Sequence, residues 1–230
     1  AQGLAGQGAK LAIVARRMDR LEKLAKEFED NGTECLPVKC DITKEEEIIE
    51  MVDKVISHYG KIDILVNNAG MASGTASEDM TLEEWDKIIR LNLTGSFLVS
   101  REVGKHMIAR RYGKIINTCS IQGIRCTMGM PGTPYNSSKG GDIMMVRSLA
   151  AEWAQYGITV NGIGPGYFPT DIDKEYLATD YFKGQLAMHC PMGRIGRDGE
   201  LNGVLIYFAS DASSYTTGQI MYVDGGWTLV

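Results

Sequence analysis

Histidine is scarce in these 230 residues: His58, His106 and His189 lie far apart and are the only three. The five cysteines, Cys35, Cys40, Cys119, Cys126 and Cys190, form no C-x-x-C pair. Neither set has metal-ligand spacing, so no metal is expected. An odd, unpatterned cysteine set fits a reducing compartment, which puts the expected location in the cytoplasm. There is no basic block, and 24 Lys and Arg against 29 Asp and Glu give a net charge of -5. A nucleic-acid footprint and a polybasic membrane patch are thereby disfavoured. No apolar run approaches the roughly 18 residues that would suggest a membrane span. A hydrolase is disfavoured too, because no G-x-S-x-G elbow occurs and no histidine sits in a motif. What is present, 44% hydrophobic and 23% charged residues, is the balance of one ordinary globular domain with a substantial core.

The chain alternates short apolar runs with helical periodicity. Leu11–Val14, Cys35–Val38, Ile62–Val66, Lys114–Thr118, Ile158–Ile163 and Ile220–Val223 read as strands. Ile62–Val66 is apolar but for Asp63, close to what a parallel strand covered on both faces should show. Between these runs, Leu21, Leu24, Ala25 and Phe28 share a helical face, and so do Ile48, Ile49, Val52, Val55 and Ile56. Asp19 with Glu22, Thr43 with Glu46, and Thr81 with Glu84 have the spacing of capping boxes. A long helix is expected from about Pro134 to Gln155, and a shorter one over Leu201–Ala209. The alternation predicts an α/β, doubly wound parallel sheet of Rossmann type in a single domain spanning 1–230. Ala1–Gly8 reads as the last turns of a helix. The first strand and glycine-rich phosphate loop of such a fold are therefore expected to be missing upstream of Ala1.

Tyr135 and Lys139, four residues apart, share one face of the long helix. An ammonium beside a phenol favours the phenolate and lowers a pKa that starts near about 10. A tyrosine tuned in this way can give a proton to a ketone or take one from an alcohol near neutral pH. Ser120 follows the strand Lys114–Thr118, and strand ends are where open α/β sheets bind ligands.

A wider set of motifs accompanies this pair. Asn67-Asn68-Ala69-Gly70 after an apolar strand, Asn92 within Leu91-Asn92-Leu93-Thr94-Gly95, Ser120, and Tyr135-Asn136-Ser137-Ser138-Lys139 occur in order. Pro165-Gly166 followed by Thr170, and Asp224-Gly225-Gly226, complete the series. In this the chain resembles the short-chain dehydrogenase/reductase family, along its whole length. The resemblance implies that Tyr135 is the general acid/base and that Ser120 holds the substrate oxygen. It implies that Lys139 lowers the tyrosine pKa while binding the nicotinamide ribose, and that Asn92 holds a water of a proton relay. Asp41 and Ile42 would lie at the adenine, Asn67 with Asn68, Ala69 and Gly70 along the cofactor cleft. Pro165, Gly166, Phe168 and Thr170, in the segment from Gly164, would meet the nicotinamide end. Asp63 is expected to be structural.

NAD-preferring relatives place an acidic residue at the end of the strand that here is Leu11–Val14. This chain has Ala15 followed by Arg16 and Arg17, so NADP(H) is favoured over NAD(H), with Arg16 on the 2′-phosphate. The segment from Ser120 to Tyr135 is two residues longer than in most relatives. The loop Ile121–Pro134, with Arg125, Met128, Gly129, Met130 and Pro131, therefore either shapes the substrate pocket or bulges into solvent. Thr118 and Cys119 adjoin Ser120, which the family spacing from the strand end favours. A lid is expected over about 167–197, where Tyr167, Phe168, Tyr176, Tyr181, Phe182 and Met188 are candidates to line a pocket.

The segment Gly164–Thr170 and the long loop are similar to gluconate 5-dehydrogenases and ketose or polyol reductases. The expected function is NADP(H)-dependent interconversion of a ketone and a secondary alcohol, with a polyhydroxy substrate such as a keto-sugar acid. A hydroxysteroid dehydrogenase or 3-oxoacyl thioester reductase is the near alternative, and a catalytically silent nucleotide-binding protein the distant one. By the same resemblance a homotetramer or homodimer is expected, with contacts near Leu82–Arg101 and Tyr135–Gln155. The only other expected partner is a small carbonyl or alcohol substrate.

Overall fold

The apolar runs become parallel strands with helices over both faces. The computed structural model describes residues 1–127, 129–169 and 174–229. Helix α1 (Gln2–Ala5) leads into β1 (Leu11–Ala15), α2 (Met18–Asp30), β2 (Cys35–Lys39) and α3 (Glu45–Tyr59). Then follow β3 (Ile64–Asn67), α4 (Leu82–Ile89), a π-helical turn (Arg90–Gly95), α5 (Ser96–Arg110) and β4 (Gly113–Thr118). The chain continues through α6 (Thr133–Trp153), β5 (Ile158–Pro165), α7 (Lys174–Leu177), α8 (Asp180–His189), α9 (Asn202–Ala209) and β6 (Ile220–Val223). β1 pairs with β2, and β3, β4, β5 and β6 pair in that order, every pairing parallel.

Burial on two faces explains why the strands carry no polar alternation. On β4, Ile115 packs into a core with Met107 of α5, Val146 of α6 and Val160 of β5. Its neighbour Ile116 points the other way, into a cluster with Ile163, Val204 and Phe208. Since successive strand side chains alternate faces, one apolar pair anchors both helical layers. Each such side chain contributes about 1.5–3 kcal/mol of burial.

Helix starts followed the capping spacing at one of three places. Thr81 caps α4, accepting the Glu84 N–H at 3.2 Å. Asp19, by contrast, lies inside the first turn of α2, whose N-cap is Arg17 with no side-chain bond. A carboxylate there interacts favourably with the helix N-terminus without capping it. Thr43 is likewise displaced: α3 is capped at Lys44, and the Thr43 hydroxyl donates to Asp41 Oδ1 at 2.8 Å. The two helices carry their N-caps at Arg17 and Lys44, off the positions that the capping-box spacing marks. The strand expected from Ile62 begins at Ile64 and runs through Asn67.

Because the strands are parallel, their C-terminal ends lie along one edge. Asn67 is level with Asn117, Thr118 with Ile163, and Pro165 with Val223. β5 approaches β6 so closely that a Cβ on Gly162 would stand 2.4 Å from Ile220, and one on Gly164 2.4 Å from the Tyr222 ring. A side chain at either position would have to displace these neighbours, so the seam is suited to glycine. The longest helices show no 18-residue stretch apolar enough to cross a membrane among the described residues.

Candidate active site

The strand-end edge gathers most of the residues singled out by their motifs. Asn68, Ala69 and Gly70 emerge exposed from β3, while Asn67 is buried at its end. The Asn67 amide donates to Ser100 Oγ at 2.8 Å and to Asn117 Oδ1 at 3.0 Å, which locks β3 to β4 and α5. Asn68 Oδ1 accepts from the Thr118 hydroxyl at 3.2 Å. Asp63 sits at the opposite end of β3, paired with Lys61 at 2.9 Å and with Arg110, in a structural role.

Asn92 stands in the π-helical turn between α4 and α5, almost wholly buried. A π turn inserts an extra residue into a helix and is a frequent device at functional sites. Here it aims the Asn92 amide across the edge: Nδ2 donates to the Met71 carbonyl at 2.9 Å and to Ser138 Oγ at 3.0 Å. Ser138 in turn donates to the Tyr135 carbonyl at 2.7 Å. The same turn brings Gly95 against the Asp41-Ile42 corner, where a Cβ would come within 2.9 Å of the Ile42 carbonyl oxygen. Arg90 Nε bonds the Thr43 carbonyl at 2.9 Å from the other side.

Asp41 itself is engaged in a turn. Its Oδ1 accepts the Thr43 N–H at 3.0 Å, and its own N–H bonds Glu47 at 2.8 Å. Burial would raise the Asp41 carboxyl, but the Thr43 bonds and the charges of Arg16 and Lys44 outweigh it and hold the carboxyl below its ordinary value. Arg16, exposed just after β1, therefore lies within electrostatic reach of Asp41.

At the centre, α6 presents Tyr135 half-buried and Lys139 buried. Lys139 Nζ donates to the Thr118 carbonyl oxygen at 2.5 Å, at the last residue of β4, and lies 5.9 Å from the centroid of the Tyr135 ring. Ser120 is buried two residues on. Its Oγ accepts the Gln122 N–H at 3.1 Å, a bond that leaves the hydroxyl proton available for an incoming oxygen. Thr118 and Cys119 differ from Ser120 in this respect. Thr118 spends its proton on Asn68, and burial pushes the Cys119 thiol far above its ordinary range. A phenol, a hydroxyl and an ammonium at one strand-end cleft can polarise and protonate a ketone, or deprotonate the matching alcohol.

The long loop between Ser120 and Tyr135 does not simply bulge outward. Arg125 reaches the Trp227 carbonyl at 2.6 Å and His189 Nδ1 at 3.2 Å. Gln122 Nε2 donates to Thr127 at 3.0 Å and to the Tyr167 hydroxyl at 3.3 Å. Over 167–197, Phe182 is buried among Tyr167, Tyr176 and Trp227, with ring centroids 4.9 to 6.3 Å apart. Tyr181 and Met188 instead face solvent, so the polar–apolar mixture there reflects the two sides of α8. A cavity of about 310 Å³ has Tyr167, Phe168, Met192, Arg194, Asp224 and Trp227 among its walls, and neither Ser120 nor Tyr135. Gly166 donates its N–H to Val223 at 3.0 Å, while Thr170, Met128 and 171–173 lie outside the described residues. Motif reading gave no role to Ser138, Asn117, Gln122 or Asp142, which connect the site to its supports. Only Asp142, a charge three residues from Lys139 on a buried helix face, carried a signal in its spacing.

Comparison with known proteins shows which family and fold the chain resembles. Residues 1–228 match the family described as Enoyl-(Acyl carrier protein) reductase. The 5-keto-D-gluconate 5-reductase of Escherichia coli (strain K12) is 36% identical over 98% of this chain and 88% of its own length. The crystal structure of a gluconate 5-dehydrogenase from Burkholderia cenocepacia J2315 in complex with NADP and tartrate superposes with a TM-score of 0.96. It shares 37% identity, covering 100% of this chain and 89% of that one. A short-chain type dehydrogenase/reductase from Mycobacterium marinum gives a TM-score of 0.94 at 35% identity, over 100% of this chain and 90% of its own.

Proposed function

The chain belongs to the short-chain dehydrogenase/reductase family, and from that premise we propose that it is an NADP(H)-dependent oxidoreductase of a keto-sugar acid or related polyhydroxy ketone. The observation that carries the reading is the Lys139 ammonium held at the end of β4 beside the Tyr135 ring, at a residue two positions before Ser120. In this role Tyr135 donates the proton to the carbonyl oxygen, Ser120 hydrogen-bonds that oxygen, and Lys139 stabilises the phenolate left behind. Asn92 serves through its bonds to Met71 and Ser138, which set the loop after β3 against α6.

The residues present fit a nicotinamide dinucleotide phosphate. Arg16 is exposed after β1, no carboxylate stands at Ala15, and the exposed Asn68, Ala69 and Gly70 leave open backbone along the cleft. Arg16 would take the 2′-phosphate, Asp41 and Ile42 the adenine side, and Pro165, Gly166 and Phe168 with Thr170 the nicotinamide side. When bound, the cofactor supplies or accepts the hydride.

The polar group that Gln122, two residues beyond Ser120, forms with Thr127 and Tyr167 favours a hydroxylated substrate over a steroid. A relative 35% identical to this chain, named a 3-oxoacyl-[acyl-carrier-protein] reductase, supports the near alternative, a thioester reductase. Exposed Leu82 and Phe97 near α4 and α5, and Met144 on α6, support homo-oligomer contacts through those helices. All five cysteines are unpaired, which supports a cytoplasmic setting.

The test follows NADPH and NADH oxidation against keto-sugar acids, ketoses, steroid ketones and acetoacetyl thioesters. Turnover of a keto-sugar acid with NADPH is expected. Activity confined to thioesters or steroids would move the substrate class, and preference for NADH would overturn the role of Arg16.

A further inference from the structure

Asp142 is 2% exposed, carries a carboxylate, and has no place in the mechanism above. It lies one helical turn beyond Lys139, its Oδ2 3.8 Å from the Lys139 ammonium. From β4, Asn117 Nδ2 donates to its Oδ1 at 2.7 Å, and the Cys119 thiol bonds it as well. Asn117 in turn receives the Asn67 amide, so the carboxylate ends a buried chain that begins at the signature after β3. An unpaired buried charge is costly, and this one is met by an ammonium, an amide and a thiol.

We infer that Asp142 is a positioning residue that acts through Lys139. Its buried carboxylate offsets part of the ammonium charge, so the field at Tyr135 is weaker than the lysine alone would exert. The inference rests on Tyr135 being the general acid. Its consequence is directional: a weaker field leaves the phenol protonated to higher pH, and a protonated phenol is what carbonyl reduction requires.

Three features support it. The groups that face Asp142 are donors, which suits an ionised carboxylate. The Thr118 carbonyl also holds Lys139, so removing the Asp142 charge leaves the ammonium in place and changes mainly the electrostatics. The ionisable groups acting on Asp142 are Lys139 on its own helix and Cys119 of the β4 end, with Tyr222 of β6 beyond Cys119 and no charged group from α5. Burial pushes the Asp142 carboxyl upward against the opposing pull of Lys139 and Asn117.

The experiment compares pH profiles of kcat/KM in both directions for the wild type, Asp142→Asn and Asp142→Ser. Loss of a negative charge near Lys139 favours the Tyr135 phenolate. The acid limb of alcohol oxidation and the basic limb of ketone reduction are therefore both expected to move down by about 0.5–1 pH unit. A purely structural role would lower thermal stability and leave both limbs where they are. Unmoved limbs, or limbs that move up, in either folded variant overturn the inference. Should neither variant fold, the infrared spectrum of the native protein at pH 7 decides. Among the described residues Asp142 is the one carboxyl held above its ordinary value, and burial is the main cause. A protonated, non-exchanging carboxyl band therefore overturns the inference, and its absence supports it. Tyr135→Phe separates the two readings: retained turnover there removes the mechanism itself, whereas unmoved limbs with an inactive Tyr135→Phe remove only Asp142.

Discussion

Asn92 and Met71 are bonded to each other twice: the Asn92 amide donates to the Met71 carbonyl and accepts the Met71 N–H, both at 2.9 Å. The pair acts as a clip between the π-helical turn and the loop that leaves β3, and Ser138 fastens it to α6. Removing a buried partner leaves polar groups unsatisfied, at about 1–3 kcal/mol. Asn92→Ala is expected to lose stability on that order and at least tenfold in kcat, since the loop and α6 would no longer share a fixed frame. Thermal melts and initial rates check this. A variant with wild-type stability and rate would show that the clip is dispensable.

Tyr135 is expected to be indispensable to turnover and dispensable to cofactor affinity. A phenylalanine keeps the ring beside Lys139 and removes the transferable proton, and general acid catalysis is worth about 10²–10⁴-fold. Tyr135→Phe should therefore lose at least a hundredfold in kcat, while NADPH fluorescence titration gives a Kd within a factor of about three. Retained turnover would mean that another group supplies the proton.

The parallel strands and the central residues were legible in sequence because continuous apolar runs and the order of motifs are local signals. The apolar run Lys114–Thr118 marks the C-terminal end of β4, and with it the position of Ser120. Other features depend on tertiary packing. Asp19 and Thr43 had capping spacing, but α2 and α3 begin at Met18 and Glu45 with N-caps at Arg17 and Lys44. The π turn at Asn92 left no mark, because one inserted residue barely alters helical periodicity over a single turn. The sequence left the loop carrying Arg125 open between shaping the pocket and bulging into solvent, because its bond to Trp227 joins residues 102 positions apart, which no local pattern encodes.

Glu200 should stay ionised in strong acid. Arg194 donates to both its oxygens, at 2.9 and 2.7 Å, and the Arg197 N–H adds a third bond at 2.7 Å. The Arg194 bonds above all, with the Arg197 N–H, pull its carboxyl from 4.5 down to about 2. A depressed folded value means that the stabilisation is complete above the unfolded value and is lost as pH falls from 4.5 toward 2. The turn 194–200 should accordingly hold its shape through pH 4.5 and loosen only below that. Carboxyl carbon chemical shifts followed by NMR, with Glu200→Gln to assign the signal, would show a midpoint near 2. An ordinary midpoint would mean that the Arg194 fork does not persist in solution.

Arg16 should decide which dinucleotide is used. It is exposed at the end of β1, next in sequence to Ala15 where a carboxylate would repel the 2′-phosphate, and its charge reaches Asp41 across the β1–β2 register. A guanidinium suits a phosphate because it can donate two parallel bonds, each charge-assisted. A hydrogen bond to a charged group is worth about 1.5–3 kcal/mol, so Arg16→Ala is expected to weaken NADPH binding by roughly tenfold to a hundredfold. NADH lacks the 2′-phosphate, and its Kd should change by less than about threefold. Arg17→Ala serves as the comparison, because Arg17 is the N-cap of α2 and makes no side-chain capping bond. Measured by fluorescence titration of both cofactors, a loss confined to NADPH in Arg16→Ala assigns the phosphate to that residue. The same loss in Arg17→Ala alone would transfer the assignment by one position, and equal losses for NADPH and NADH would show that Arg16 supports the fold and not the choice of cofactor.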